Sequence, residues 1–159
     1  MMSEKRKSNG RRRYTFGLIL TAIGFLLFLM GASPELFGLD RSPVIGFVQI
    51  SVFLFGLGVI CLGGYVSLIS LWNGEEKSIG ADIGVRLVAT GYVIALASGM
   101  ADVFGIGNQP WPAIPVFGRW QARGVLIGEI VIAIGFLLLL PPVSGKKKNE
   151  TDSEEVNSK

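Results

Sequence analysis

The chain has 159 residues, of which 50% are hydrophobic and 17% charged, and its formal net charge is +3. The charged residues lie mostly at the two ends, so the long apolar runs between them indicate a membrane protein and exclude an ordinary soluble domain. The lack of histidine excludes imidazole-based haem ligation, proton relays and most zinc sites. A single cysteine, Cys61, excludes an intramolecular disulfide or a CxxC redox pair. We interpret Cys61 as a small buried hydrophobic residue, and we expect no metal and no cofactor.

Four apolar runs predict an all-α integral membrane protein with four transmembrane helices. The runs are Tyr14 to Ala32, Val44 to Trp72, Ile83 to Ala101 and Gly124 to Leu140. Each run reaches the roughly 17–25 residues that cross a hydrocarbon core of about 30 Å. The chain therefore divides into a first hairpin over 14–72, a short cytoplasmic loop over 73–82, and a second hairpin over 83–140 whose outer loop is rich in proline and tryptophan.

The two tails predict the orientation of the chain. Residues 1–13 and 141–159 are polar, carry clusters of lysine or arginine and lack apolar periodicity, so we expect disordered tails. Four spans put both tails on one side, and their basic residues place that side in the cytoplasm of a prokaryotic cell. We therefore attribute the basic clusters to the orientation of the chain in the membrane, and we expect no nucleic acid partner. A cleaved signal peptide ending near Gly31 is the alternative for the first span.

Capping residues mark three helix boundaries. Ser42 followed by Pro43 is typical of a helix start, and this pair predicts the beginning of the second helix. Asn73 with Gly74 predicts its end, and Ser78 is placed to cap the third helix.

The two hairpins resemble each other in sequence. An offset of 67 places Gly17 on Gly84, and an offset of 72 places Pro43 to Gln49 on Pro115 to Gln121. The loop matches involve proline, glycine, glutamine and acidic residues in the same order, which apolar composition alone does not explain. We interpret the chain as a tandem duplication of one hairpin, with a pseudo-two-fold axis along the membrane normal. A compact, closed four-helix bundle follows.

Small residues recur every seven positions in all four predicted spans. They are Gly17, Gly24 and Gly31, then Gly56 and Gly63, then Gly84, Gly91 and Ser98, then Gly128 and Gly135. Helices in lipid associate by close van der Waals contact along such positions, so these glycines are predicted helix-packing residues. A period of seven also predicts left-handed crossings near +20°. Hinges in the helices are the alternative interpretation.

The predicted spans contain one candidate intramembrane polar site. Glu129 lies in the second turn of the fourth span, where its counterpart in the first hairpin is Leu57, and Ser98 of the third span is its expected partner. A carboxylate in a membrane span is costly, so either a functional or a hydrogen-bonded structural role is open. Asp82 and Arg86 lie four residues apart near the start of the third span and are expected to form a structural ion pair.

The outer ends of the spans carry a second polar group. Its members are Glu35, Asp102, Gln49 and Gln121, at matched positions of the two hairpins. This outer polar ring is either a shallow vestibule or a set of helix-end hydrogen bonds, and the second interpretation is favoured. An ion pair between Asp102 and Arg119 or Arg123 is also expected.

The second hairpin resembles DoxX-type four-helix membrane proteins in the order of its residues. Arg86 comes first, Gly128 and Glu129 follow early in the next span, and an apolar ending comes last. We infer no function from this resemblance. We expect a non-enzymatic structural or accessory subunit in the lipid bilayer, acting by packing as a homo-oligomer or within a larger membrane complex. The alternative is a small proton- or cation-coupled transporter or channel that uses Glu129. An enzyme acting on a lipid or quinone would need a catalytic set that these residues do not form.

Overall fold

The computed structural model describes residues 2–38, 46–72, 76–106 and 117–141, with side chains from residue 10 onward, and every regular element in these ranges is helical. The elements are α1 (Met2–Ala32), a short 3-10 helix (Pro34–Phe37), α2 (Phe47–Leu71), α3 (Ile79–Gly99) and α4 (Arg119–Leu139). Four of these stretches are long and apolar enough to cross a membrane: Gly10–Ala32 of α1, and the whole of α2, α3 and α4. The predicted all-α architecture with four membrane spans is confirmed.

Three helices begin earlier than the apolar runs predict. Helix α1 begins at Met2, so the expected disordered tail over 1–13 is wrong for residues 2–13, which continue the first span as a helix. This segment is rich in lysine and arginine, which are good helix formers, and no proline interrupts it. Helices α3 and α4 likewise begin four and five residues before the predicted 83 and 124. Hydropathy detects the apolar part of a helix but not the polar turns that precede it.

Several predictions concern residues outside the described ranges. Ser42 and Pro43 lie outside them, but α2 begins at Phe47 with Gly46 as its N-cap, so the predicted start of the second helix at that pair is wrong. The predicted helix end at Asn73 and Gly74, most of the proline-rich outer loop, and residues 142–159 of the second tail also lie outside the described ranges.

The described helix ends are capped by side-chain and backbone hydrogen bonds. Ser78 Oγ accepts the backbone N–H three residues on at 3.2 Å, which confirms its predicted role as the cap of α3. Gly38 and Gly105 have φ values of +65° and +71°, in the left-handed region that glycine adopts most easily. Their N–H groups donate to the carbonyls of Glu35 and Asp102 at 3.1 and 3.2 Å. The chain therefore turns in the same way beyond the first span and beyond the third.

The helices pack as two hairpins. Helix α1 lies along α2 and α3 lies along α4, while α2 supplies the contacts between the hairpins by touching both α3 and α4. The buried core accordingly comes from α2, α3 and α4: Ile50, Leu54, Leu57, Cys61, Val88, Ala95, Val125 and Ile132. Cys61 is buried there, as predicted. Helix α1 lies at the edge of the bundle and adds only the half-buried Phe28 to this cluster.

A tryptophan joins the two hairpins at the end of the bundle where α2 and α4 stop, which we name the tail end. Trp72 is buried, and its Nε1–H donates to the backbone carbonyl of Leu139 at 3.1 Å. The last carbonyls of a helix lack partners within that helix, so this hydrogen bond satisfies one of them. Trp72, Leu139 and the fully buried Ala81 form a second small core there.

Candidate functional site

The glycines of α3 and α4 bring the two backbones into direct contact. A Cβ atom added at Gly91 would lie 2.6 Å from the carbonyl oxygen of Gly128, and one added at Gly128 would lie 2.6 Å from that of Gly91. About two turns closer to the tail end, Gly84 and Gly135 face each other with corresponding distances of 2.6 and 2.8 Å. No side chain larger than hydrogen fits between the helices at these four positions.

The glycines of α1 and α2 form a second seam of the same kind. A Cβ at Gly17 would lie 2.6 Å from the backbone nitrogen of Ser67, and one at Gly24 would lie 2.7 Å from that of Ile60. The other three predicted glycines of this hairpin, Gly31, Gly56 and Gly63, approach the backbones of Phe53, Phe28 and Thr21. All nine glycines that the heptad spacing singles out therefore lie at helix contacts.

Ser67 is a polar residue in this seam that the sequence interpretation missed. Its side chain is buried against Gly17, and its hydroxyl has no hydrogen-bond partner in the part of the chain that the structure describes. Its position four residues after Gly63, on the same helical face, is the signal that places it in the seam. A buried hydroxyl without a hydrogen-bond partner costs about 1–3 kcal/mol of stability. The close contact between α1 and α2 therefore includes an unfavourable contribution from Ser67.

Glu129 lies beside the α3–α4 seam, half-buried, on the face of α4 that is turned toward α2. The evidence for this face is Phe136, seven residues on, whose ring packs against Gly64 of α2, since residues seven apart point in nearly the same direction. Within the described ranges the Glu129 carboxylate forms no hydrogen bond and no ion pair. It is therefore an intramembrane acid without a neighbouring cation.

The expected pairing of Glu129 with Ser98 is wrong. Ser98 lies against Gly124, whereas Gly128, next to Glu129, faces Ala95. Ser98 is therefore about one turn further from the tail end than the acid. Glu129 lies ten residues into α4, which begins at Arg119, whereas Ser98 lies one residue before the end of α3 at Gly99, so the two residues differ in depth.

The Asp82–Arg86 pair forms as its spacing predicts, but away from Glu129. The Nη2 and Oδ2 atoms are 2.9 Å apart, and the side chains are 79% (Arg86) and 61% (Asp82) exposed. An ion pair with that exposure contributes little to stability. Arg86 lies near Gly84, which is level with Gly135, whereas Glu129 lies near the level of Gly91. The four residues of the candidate intramembrane site do not form one cluster.

The outer polar residues act separately. The Oε1 atom of Gln121 accepts the N–H of Gly118 at 2.7 Å, which is a helix-end hydrogen bond of the favoured kind. Of the other members, Glu35 is exposed, Gln49 is half-buried and Asp102 is buried. No side-chain hydrogen bond joins these four among the residues that the structure covers.

The arginines at the start of α4 do not pair with Asp102. Neither Arg119 nor Arg123 lies within 4.0 Å of that carboxylate, although all three residues are described. Arg123 instead lies over the ring of Trp120, with its guanidinium carbon 5.2 Å from the ring centroid. This cation–π contact suits the interface between lipid and water, where an amphipathic ring and a charged group can both be solvated.

No protein family, curated protein or solved structure matches this chain. The functional argument therefore rests on the geometry alone, and the similarity to DoxX-type proteins remains a resemblance of one hairpin. In the described ranges, no three His, Cys, Asp or Glu residues lie together as a metal site.

Proposed function

We propose that this chain is a non-enzymatic structural or accessory subunit of a membrane assembly, formed with copies of itself or with a larger complex. The observation that carries the proposal is the direct backbone contact along both glycine seams. At Gly91 and Gly128, and at Gly17 and Ser67, the helices leave no room between them for water or a substrate. Neither hairpin therefore has an internal passage at these contacts, and the surface available for function is the outer face of each hairpin.

Helix α1 is the least buried of the four spans. It packs chiefly on α2, and its other side carries exposed apolar side chains. Among them are Phe16, Ile19, Ile23, Phe25 and Leu26. This side is available to lipid or to the helix of a partner, and helices associate in lipid by close packing of such surfaces.

The proposed orientation places both tails in the cytoplasm of a prokaryotic cell. The parity of four spans and the basic residues at both chain ends support it. A thiol-reactive probe applied from outside is expected to label a cysteine placed at Asn108 but not one placed at Ser8 or Ser153. Labelling of either tail from outside would overturn this orientation.

We also propose that the two hairpins arose by tandem duplication and cross with left-handed geometry. Matched contacts support this proposal: the added Cβ at Gly24 lies 2.7 Å from Ile60 N, and the one at Gly91 lies 2.8 Å from Ile132 N. The offsets between these pairs are the 67 and 72 residues of the sequence repeat. The caps before α2 and α4 match as well, with φ and ψ of −83° and 162° at Gly46 and −81° and 161° at Gly118.

A second function, proton- or cation-coupled transport, is favoured by one observation. Glu129 is half-buried in a membrane span and has no cation or hydrogen-bond donor beside it among the described residues. An acid in that position is a possible proton or cation ligand, because ionisable groups inside membranes are costly to keep without a function.

Flux measurements on the purified protein in vesicles separate the two functions. The structural role predicts no pH-driven flux in the parent, in Glu129→Gln, or in the control Glu35→Gln, which alters an exposed acid outside the spans. Glu129→Gln keeps the size and hydrogen-bonding capacity of the side chain while removing its ionisable proton. A flux in the parent that disappears in Glu129→Gln and persists in Glu35→Gln would replace the structural role by transport.

A further inference from the structure

Helix α1 extends beyond α2 and α4 at the tail end. Gly17 lies level with Ser67, and α1 and α2 run in opposite directions, so Arg13 lies level with Leu71, the last residue of α2. Helix α4 ends at this depth too, because its last residue accepts the hydrogen bond from the tryptophan that follows α2. Residues 2–12 therefore continue α1 past both neighbouring helices for about 16 Å.

The far part of this extension is basic, and it lies beyond the lipid headgroups. Arg13 directly precedes the apolar run and marks the edge of the hydrocarbon core. Residues 5–7 have the sequence Lys-Arg-Lys, and their backbone lies six to eight residues further out, about 9–12 Å from that edge. A headgroup layer is only about 5–8 Å thick. We name residues 5–7 the outer basic turn, and it lies past the depth of the lipid phosphates.

The basic residues next to the two spans fit the headgroup layer instead. The side chains of Arg11, Arg12 and Arg13 are exposed, and none of them forms an ion pair with a carboxylate in the described ranges. Their backbone lies within about 3 Å of the core edge, where anionic headgroups attract cations. Lys146–Lys148 follow the last span in the sequence. The orientation of the chain in the membrane therefore explains these clusters, but it does not explain the outer basic turn.

The second tail carries an acidic segment that is complementary in charge to this turn and long enough to reach it. Residues 150–155 contain four acids and no basic residue, whereas Glu4 is the only acid among residues 2–13. Helices α1 and α4 both pack on α2, so their axes are at most two packing distances apart, about 20 Å. With about 12 Å of height along α1, the distance to bridge is about 23 Å. The chain from Leu139 to Glu150 spans up to about 36 Å.

We propose that the acidic segment 150–155 binds the outer basic turn of the same chain and so joins the two tails beside the bundle. Each exposed ion pair is weak, but the short tether keeps the acidic segment at a millimolar effective concentration near the turn. The contact is sensitive to salt, because the screening length falls from about 8 Å at physiological ionic strength to about 3 Å at 1 M. It is independent of whether the protein acts as a structural subunit or as a transporter.

Distances between two spin labels on the full chain in phosphatidylcholine discs test this contact. Ser8→Cys and Ser153→Cys, in a Cys61→Ala background, place one label beside the outer basic turn and one within the acidic segment. The acid-neutral variant carries Glu150→Gln, Asp152→Asn, Glu154→Gln and Glu155→Gln. The matched control carries Lys146→Gln, Lys147→Gln and Lys148→Gln, which change the charge of the same tail outside the acidic segment. Thermal unfolding of each variant should match that of the labelled parent, because these changes lie outside the packed helices.

The expected result is a short distance between the labels in the parent and in the control at physiological salt. The ratio of short to long distances should fall roughly tenfold in the acid-neutral variant and at about 1 M salt, the effect of losing about three weak ion pairs. Reversing the charge of the outer basic turn by Lys5→Glu, Arg6→Glu and Lys7→Glu should have the same effect. The short distance should return when this reversal is combined with Glu150→Lys, Asp152→Lys, Glu154→Lys and Glu155→Lys.

Three results would overturn the proposal. The first is a parent without the short distance, or with a short distance that neither salt nor the charge changes alter. The second is its loss when labelled chains are diluted with unlabelled ones, because the tails of two copies would then be paired. The third is its loss in phosphatidylglycerol discs, because lipid phosphates would then occupy the outer basic turn.

Discussion

Replacing Gly91 by alanine adds one methyl group where α3 meets α4. The new Cβ would lie 2.6 Å from Gly128 O and 2.8 Å from Ile132 N, whereas ordinary contact begins near 3.4 Å. Both neighbours are backbone atoms of a helix and cannot rotate away, so the helices must separate by about 0.8 Å at this point. A gap of that size forfeits between a quarter and half of each affected van der Waals contact. We expect Gly91→Ala to lower the free energy of unfolding by about 1–3 kcal/mol.

The matched control is Gly80→Ala in the same helix. A Cβ at Gly80 would meet only Ser78 Oγ, at 3.7 Å, so the change adds a good helix former without a clash. Its expected effect is neutral or stabilising by less than about 1 kcal/mol. Unfolding by sodium dodecyl sulfate in mixed micelles, followed by circular dichroism, measures both variants on one scale.

The double variant Gly91→Ala with Gly128→Ala makes the test more specific. Because each glycine faces the carbonyl of the other, the first methyl group already separates the helices and the second adds little, so the two costs are expected to be non-additive. Equal stability of Gly91→Ala and Gly80→Ala, or fully additive costs in the double variant, would refute the backbone contact.

Three further predictions follow from other contacts. Trp72→Phe removes the hydrogen bond between the hairpins and is expected to cost about 1–3 kcal/mol in the same unfolding assay, whereas Trp120→Phe, at a 73% exposed position, is expected to be neutral. Gly24→Leu should reduce the folded yield as much as Gly91→Leu, while Leu26→Ile, at a half-exposed position of nearly constant volume, should not. Glu129→Leu should fold and gain about 1 kcal/mol, because it removes an unpartnered polar group; a misfolded product would show that the carboxylate has a structural partner.

The spans and their contact faces were predictable because they depend on patterns local to one helix. A long apolar run predicts a span whatever surrounds it, and glycines spaced by seven predict a contact face whatever the partner. Ser78 was predictable for the same reason, because a cap bonds to the next turn of its own helix. The extension of α1 to Met2 was missed because a disordered tail was inferred from polarity, although the same lysines and arginines favour a helix.

Contacts between helices of different hairpins were not predictable from one sequence. The pairing of Ser98 with Glu129 required the relative depth of two helices to within one turn, whereas α4 begins five residues before its predicted apolar run. The hydrogen bond of Trp72 to Leu139 depends on how the hairpins dock, which the repeat does not determine. The repeat predicts a symmetric closed bundle, but it contains no information on the placement of α1 at the edge.

The mass of the native particle tests the proposed function most directly. The chain has a mass of 17.1 kDa, and light scattering or native mass spectrometry after extraction in mild detergent gives the mass of the assembly to which it belongs. The structural-subunit role predicts a defined multiple of the chain mass or a larger complex of fixed composition. A monomer of 17.1 kDa in mild detergent and in native lipid discs would contradict it.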